Sequence, residues 1–210
     1  MVEVAHRPPN QPPTTSLTLL GRLSRGDDAE AWREFDGRYR GLIVRYLRGR
    51  GLQVADAEDC AQAVMGKLVR GLRNFKYDSE RGGFRAYLYR CTRSALSDFA
   101  ARMKRNGRVL PLDAVVGVNG SQADDDSGYA VFEQEWVDHH YRLAVSRYLD
   151  VSEGHGSDIL RATLAGTPAR VIGERLGMTE NGVHKAQQRL RERLKALIAE
   201  QVRDEELGDG

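Results

Sequence analysis

Length, composition and charge limit what this chain can be. Its 210 residues allow one ordinary domain or two small ones, and 40% hydrophobic with 30% charged residues is typical of a helix-rich soluble protein. No apolar run approaches the roughly 20 residues that a membrane-spanning helix needs, so we expect no stable membrane insertion. The net charge of +2 excludes little by itself, and its distribution along the chain is more informative.

The two ends of the chain are predicted to be tails. Residues 1–15 carry four prolines and lack the apolar core of a signal peptide, which indicates a disordered tail on a cytoplasmic protein. Residues 203–210 are predicted to form a second tail. Cys60 and Cys91 are isolated from each other and from histidine, so we expect buried, reduced thiols and neither a disulfide nor a zinc site.

Residues 16–105 are predicted to form an N-terminal helical domain. Its first long helix follows Asp27-Asp28, places apolar and aromatic residues at helical spacing from Trp32 to Leu47, and ends near Gly49 and Gly51. A second helix begins at Asp56, where carboxylates in the first turn interact favourably with the helix dipole. The apolar stripe of that second helix consists of Ala61, Val64, Met65, Leu68, Val69 and Leu72.

A third helix is predicted from Phe84 to Phe99, with aromatic rings and arginines interleaved on one side of a core stripe. The interleaved residues are Arg85, Tyr87, Tyr89, Arg90 and Arg93. Such a surface suits single-stranded DNA, because bases stack on aromatic faces and arginine neutralises phosphates. The alternative is that Tyr87 and Tyr89 only pack against the neighbouring helix.

An acidic connector is predicted over residues 106–131, and a second helical domain over residues 132–202. No Lys or Arg occurs between Arg108 and Arg142, and Asp124-Asp125-Asp126 in a Ser/Gly setting favours a solvated linker over a cation site. Strand patterns are nearly absent from the whole chain. The fold class that we expect is therefore all-α, with two small helical domains joined by an acidic flexible linker.

The second domain contains a helix-turn-helix pattern. Thr167 is predicted to cap a helix with Pro168 at its first position, Gly177 to make a left-handed turn, and Thr179 to cap the next helix. The N-terminal half of that last helix carries donor-rich side chains that face away from its apolar stripe, as a helix that enters the major groove does. These side chains are Asn181, His184, Lys185, Gln188 and Arg189.

Patterns of catalysis are lacking. There is no glycine-rich phosphate loop and no H-E-x-x-H motif, and His139 and His140 are adjacent, so on a helix they point about 100° apart and do not suit one metal ion. We expect no enzyme activity, no cofactor and no metal.

Several segments, taken together and in order, are similar to one known family. The first group is Asp56-Ala57-Glu58-Asp59 with Gln62 and Val64, then Phe75 and Asp78, then Gly83-Phe84-Arg85-Ala86-Tyr87-Leu88 and Asp98. The second group is Arg175-Leu176-Gly177-Met178-Thr179, Arg189-Leu190-Arg191 and Leu194. These groups resemble regions two and four of extracytoplasmic-function sigma factors, and Ala31-Trp32-Arg33-Glu34-Phe35 and Trp136-Val137-Asp138-His139-His140 are similar to those abundant in planctomycetes.

This resemblance implies a subunit that binds core RNA polymerase and directs it to promoter DNA, with an anti-sigma factor as a further candidate partner. Polymerase would be bound by Asp56, Asp59 and Gln62. The minus-ten element would be held by Asn74, Lys76, Arg85, Tyr87, Tyr89, Arg90 and Arg93. The minus-thirty-five element would be read by Asn181, His184, Lys185 and Gln188, with Arg189 and Arg191 better placed for phosphates.

The chain departs from the family pattern at three places, and two rival functions stay open. Ala63 stands where the family usually has Glu, Ser94 where it usually has Asn, and residues 151–157 lack its common Leu-Pro and arginine-rich helix start. One rival is a dimeric helix-turn-helix repressor whose N-terminal domain senses a ligand. The other is a sigma-like decoy that binds an anti-sigma protein without touching DNA.

Overall fold

The computed structural model describes residues 16–24, 28–72, 83–107 and 122–206, and this part of the chain is all-α, as predicted. Within these ranges there are eight helices and no strand. No helix in the described ranges is long and apolar enough to span a membrane. The helices are α1 (Ser16–Ser24), α2 (Ala29–Gly49), α3 (Val54–Leu72), α4 (Gly83–Arg105), α5 (Gln122–Val151), α6 (His155–Leu164), α7 (Ala169–Leu176) and α8 (Glu180–Glu206).

The start of α2 is held by an aspartate that serves two helices. Asp28 accepts a hydrogen bond from the backbone N–H of Ala31 at 2.8 Å and so caps α2. The same carboxylate accepts two bonds from the Arg22 guanidinium of α1, at 2.6 and 3.1 Å. The Arg22 bond is the main reason that the pKa of Asp28 falls to about 2.

Helices α2, α3 and α4 pack side by side around one hydrophobic core. Phe35, Leu68 and Leu88 from the three helices are fully buried. Phe84, at the start of α4, makes edge-on ring contacts with Phe35 at 5.9 Å and with Tyr39 at 5.3 Å between centroids. The aromatic and apolar spacing of the sequence therefore identified most of the buried face of the three helices, although Trp32, Val69 and Cys91 are only half-buried.

Several predicted boundaries differ from the observed ones. The third helix was expected to end at Phe99 and continues to Arg105. The prediction of a connector over 106–131 is wrong for its last ten residues, because α5 begins at Gln122. The predicted tail beginning at residue 203 is wrong for its first four residues, since α8 runs to Glu206. Charged side chains made these helical ends look like linkers, although a solvated helix end tolerates them well.

The described residues divide into two compact units. One comprises the residues up to Tyr129 together with the end of α8 from Asp204, and the other comprises Ala130–Arg203. The second unit has its own apolar core, drawn from α5, α6, α7 and α8. Its buried members are Ala144, Ile159, Leu160, Ile172, Val183, Ala186, Leu190, Leu194 and Leu197.

The helix-turn-helix of the second unit forms much as its sequence predicts. Gly177 adopts a left-handed conformation with φ of 65°, and the Thr179 hydroxyl accepts a hydrogen bond from the N–H of Gly182 at 3.1 Å, capping α8. The prediction for Thr167 is wrong, because Pro168 occupies the N-cap position of α7 and no side chain caps that helix.

The adjacent histidines are both buried in the second unit. His140 Nδ1 lies 3.1 Å from Gln201 Oε1, which joins α5 to α8, and its ring packs against Trp136 at 4.9 Å between centroids. His140 is thus part of the packing of α5 against α8, and the His139 ring lies 5.5 Å from the His140 ring between centroids.

Candidate polymerase and nucleic-acid interfaces

The expected polymerase-binding residues lie on the outer side of α3. Asp59 and Gln62 are exposed and Asp56 is half-buried, while the opposite stripe of α3 packs into the core. The Gln62 side-chain oxygen also accepts a hydrogen bond of 2.7 Å from Arg40 of α2. Gln62 therefore links the two helices at the surface. A substitution of Asp59 tests this face without removing that link.

Arg40 holds the neighbouring part of that surface together. Its guanidinium pairs with Asp36 of α2 at 2.9 Å and with Glu58 of α3 at 3.2 Å. These carboxylates, Asp36 first, raise the pKa of Arg40. The charges that flank Asp59 and Gln62 are therefore ordered before any partner binds.

The outer face of α4 presents a shallow basic groove. Arg90 is exposed, Arg93 is half-exposed, and the groove that they line includes Ser94, Ser97 and Asp98. Lys67 of α3 borders this groove, with its ammonium 2.8 Å from an Asp98 carboxylate oxygen and 3.0 Å from the Ser94 hydroxyl. A basic groove of this kind suits the backbone of a nucleic acid.

Tyr87 packs across α3 and is only half-exposed. Its hydroxyl lies directly against Gly71, where any side chain would clash with it. Burial, followed by its contact with Cys91, raises the pKa of the Tyr87 hydroxyl, so the phenol stays neutral at ordinary pH. The packing on the neighbouring helix that the sequence offered as an alternative is thus present, Tyr87 is partly exposed, and its role in DNA binding stays a prediction.

Tyr89 differs more strongly from its expected place. It is 5% exposed, and its ring makes edge-on contacts with Tyr46 at 6.3 Å and with Tyr129 at 5.1 Å between centroids. The expectation that Tyr89 faces DNA is therefore not met in this arrangement, because the start of α5 covers the ring. Arg85 lies beside it, with its guanidinium 6.0 Å from the centroid of the Tyr129 ring.

Two members of the expected minus-ten site, Asn74 and Lys76, lie outside the described residues. Sequence reasoning missed one contributor to this face, Tyr129. A signal was available, because Tyr129 is the only aromatic residue between Phe99 and Phe132. Aromatic side chains bury large areas when they pack, so a single ring in an otherwise polar segment is a candidate for a packing contact.

The expected reading face of α8 forms one exposed surface. Asn181, His184, Lys185 and Gln188 are exposed at the spacing i, i+3, i+4 and i+7 near the N-terminus of the helix. The half-exposed Gln187 donates a 3.0 Å hydrogen bond to the Thr163 hydroxyl of α6 and so helps to fix the orientation of α8.

The exposed arginines of α8 begin where the reading face ends. Arg189 and Arg191 are both exposed, and Arg191 donates a 2.8 Å bond to the Gln188 oxygen. The Gln188 amide nitrogen in turn donates to Glu192 at 3.2 Å. This chain of bonds orients the Gln188 amide at the surface.

Both cysteines are free; Cys60 is buried, as predicted, whereas Cys91 is only half-buried. Burial raises the pKa of Cys60 to about 12, and burial also raises the pKa of the half-buried Cys91. Both are therefore thiols and poor metal ligands at ordinary pH. Among the described residues, no group of three or more His, Cys, Asp or Glu side chains could hold a metal ion.

Part of the chain matches a known protein family. Residues 35–106, which include most of α2 and all of α3 and α4, match the family Sigma-70 region 2. No curated protein and no solved structure matches the chain. The match covers the core helices, the outer face of α3 and the groove of α4. The first unit is therefore similar to region 2 of sigma-70 proteins over about a third of the chain.

Proposed function

We propose that this protein is an extracytoplasmic-function sigma factor, which binds core RNA polymerase in the cytoplasm and directs it to specific promoters. The observation that carries the proposal is the match of residues 35–106 to Sigma-70 region 2. The two helical units correspond in this proposal to regions two and four. The protein performs no catalysis itself, and the polymerase supplies the chemistry.

In the first unit, the exposed face of α3 binds polymerase and the groove of α4 binds the melted minus-ten strand. Support for the first role comes from the exposure of Asp59 and Gln62 beside an ordered set of charges. The second role is supported by the groove in which Arg90 and Arg93 lie beside serine hydroxyls. Arginine neutralises the charge of phosphates, and hydroxyl groups donate hydrogen bonds to phosphate oxygens.

In the second unit, α8 enters the major groove of the minus-thirty-five element. This role is supported by the exposed side chains Asn181, Lys185 and Gln188 at the capped N-terminus of α8. Amide and ammonium groups at that end of a recognition helix can hydrogen-bond to base edges.

The test is transcription with purified components. Core polymerase, with and without the protein, is given a library of genomic fragments, and the transcripts are sequenced. We expect transcripts that start downstream of a shared pair of promoter elements only when both proteins are present. Polymerase-independent binding to a palindrome would instead indicate the repressor, and the absence of DNA-dependent activity with tight binding to an anti-sigma protein would indicate the decoy.

The docking face has a test of its own. Asp59→Arg reverses a charge on the proposed polymerase-binding surface without touching the core, and should weaken the pull-down of core polymerase. Glu153→Arg is the matched control, because it reverses an exposed carboxylate in the other unit. Equal pull-down by folded Asp59→Arg and by the control would place the polymerase contact elsewhere.

A further inference from the structure

The start of α5 covers the aromatic part of the α4 surface. Tyr129 contacts the Tyr89 ring edge-on, with 5.1 Å between the centroids and 70° between the ring planes. The Arg85 guanidinium also lies over the Tyr129 ring, 6.0 Å from its centroid. The Tyr129 ring is therefore held by one tyrosine and one arginine of α4.

The residue before Tyr129 permits this close approach. A Cβ at Gly128 would lie 2.6 Å from the Tyr89 hydroxyl oxygen and 3.7 Å from that of Tyr46. Gly128 is buried, so the backbone of α5 rests directly on these two hydroxyls. Because Gly128 has no side chain, the backbone of α5 can come close enough for the Tyr129 ring to contact the Tyr89 ring.

The interactions that hold Tyr129 are those that hold an unstacked nucleobase. Proteins bind single strands by placing bases against aromatic rings and arginine guanidinium groups. The sequence directly before Ser127 is Asp124-Asp125-Asp126, so the segment also carries negative charge, as a nucleic-acid backbone does. In its sequence, an aromatic residue that follows three acidic residues closely combines a ring with negative charge, as a short piece of single-stranded DNA does.

We propose that residues 122–129 form an internal substitute for single-stranded DNA, in which Tyr129 occupies the place of one base against Tyr89 and Arg85 until the melted promoter strand displaces it. The inference rests on the proposed function, because it assumes that α4 binds a single strand. It adds a regulatory step, since the free protein then covers part of its own DNA-binding surface. The exposed Arg90 and the half-exposed Arg93 lie in the groove of α4 described above, where the strand would make further contacts.

The sequence of this segment favours its release. The first seven residues of α5 are Gln-Ala-Asp-Asp-Asp-Ser-Gly, and Asp, Ser and Gly are weak helix formers. A helix end with this composition opens at low cost compared with a leucine-rich helix. The contacts of Tyr129 therefore decide whether the segment stays in place.

The test measures binding of a mixed-sequence, fluorescent single-stranded DNA of about 12 nucleotides to the full chain by anisotropy. Tyr129→Ala should raise the affinity by about tenfold, because the ring contact and the cation–π contact both compete with DNA. Tyr129→Phe keeps the ring and should bind like the unmodified protein. Tyr141→Ala is the matched control, because Tyr141 is an exposed tyrosine further along the same helix.

Unchanged or weaker binding by Tyr129→Ala, including no detectable binding, would overturn the inference. Tyr129→Leu repeats the test with a residue that supports helix formation and packing, so an unfolding effect of alanine does not decide the result. In the unmodified protein, added DNA should also speed hydrogen exchange of residues 122–129, and slower exchange there would contradict displacement. A failure of the proposed function would differ, because the transcription with core polymerase described above would then be absent whatever residue stands at position 129.

Discussion

Gly173 lies where α7 approaches the turn that leads into α8. A Cβ at this position would be 2.6 Å from the backbone oxygen of Met178, and backbone at a turn has little freedom to move away. Gly173→Ala should therefore lower the free energy of unfolding of the second unit by about 1–3 kcal/mol. Chemical denaturation followed by circular dichroism measures the change.

Gly37 provides the opposite case and serves as the control. It is an exposed residue inside α2, and a Cβ there would meet no atom within 4 Å. Gly37→Ala should stabilise the first unit by about 0.5–1 kcal/mol, since alanine loses less backbone entropy in a helix. A loss of stability at Gly37 equal to that at Gly173 would show that the contact with Met178 is not the cause.

Asp28 makes part of the stability of the first unit depend on pH. Its pKa is lowered from 3.8 to about 2, mainly by the bond from Arg22 and then by the cap of α2. A lowered carboxyl pKa contributes stability above the unfolded value, and this contribution is lost as the pH falls from about 3.8 to about 2. Asp28→Ala should therefore lower the melting temperature at pH 7, and the difference from the unmodified protein should shrink across that window. A constant difference down to pH 2 would contradict this account.

At the level of the element, α4 is predicted to act after the duplex melts. Arg90→Ala removes an exposed charge from the groove and should impair promoter opening more than initial binding, because the single strand exists only in the open state. Permanganate footprinting measures opening, and a band shift measures binding. Arg33→Ala, at an exposed arginine of α2, is the control. If Arg90→Ala reduced both steps equally, the groove would not act specifically on the melted strand.

Helix α8 is predicted to separate base reading from phosphate binding along its length. Lys185→Ala or Gln188→Ala should change the preferred upstream hexamer, since each base contact discriminates by about 1–3 kcal/mol. Arg191→Ala should weaken binding to all sequences alike and reduce the salt slope by about one. Selection from a randomised promoter in the presence of polymerase provides the measurement. Recovery of the unmodified preference by both reading-face variants would show that this surface does not read bases.

At the level of the whole molecule, the presence of two cores predicts that a core substitution destabilises only the unit that contains it. Leu190→Ala leaves a cavity in the core of the second unit, and Leu68→Ala leaves one in the core of the first. Each should lower the free energy of unfolding of its unit by about 2–5 kcal/mol. Hydrogen exchange should rise in α6, α7 and α8 for the first variant, and in α2, α3 and α4 for the second. Exchange that rises equally in both units for either variant would show that they unfold as one.

The amount that the sequence predicted varies with the kind of feature. The all-α class, the buried faces of α2, α3 and α4, and the turn at Gly177 followed from apolar spacing and capping residues. The predicted helix ends were less accurate, because charged residues such as those at the start of α5 occur both in linkers and at solvated helix ends. The exposure of the α8 reading face also followed from spacing, whereas its role in reading DNA stays a prediction.

The spacing of apolar residues within one helix determined which face of that helix is buried. Burial of an apolar side chain lowers the free energy of the folded state whichever helix packs against it. The spacing could not determine which distant segment covers a given side chain. The fate of Tyr89 was decided by Gly128 and Tyr129, 39 and 40 residues further along the chain, and that of Tyr87 by the missing side chain of Gly71. Contacts of this kind depend on the shapes of two surfaces that meet only in the folded chain, so the tertiary structure alone decided them.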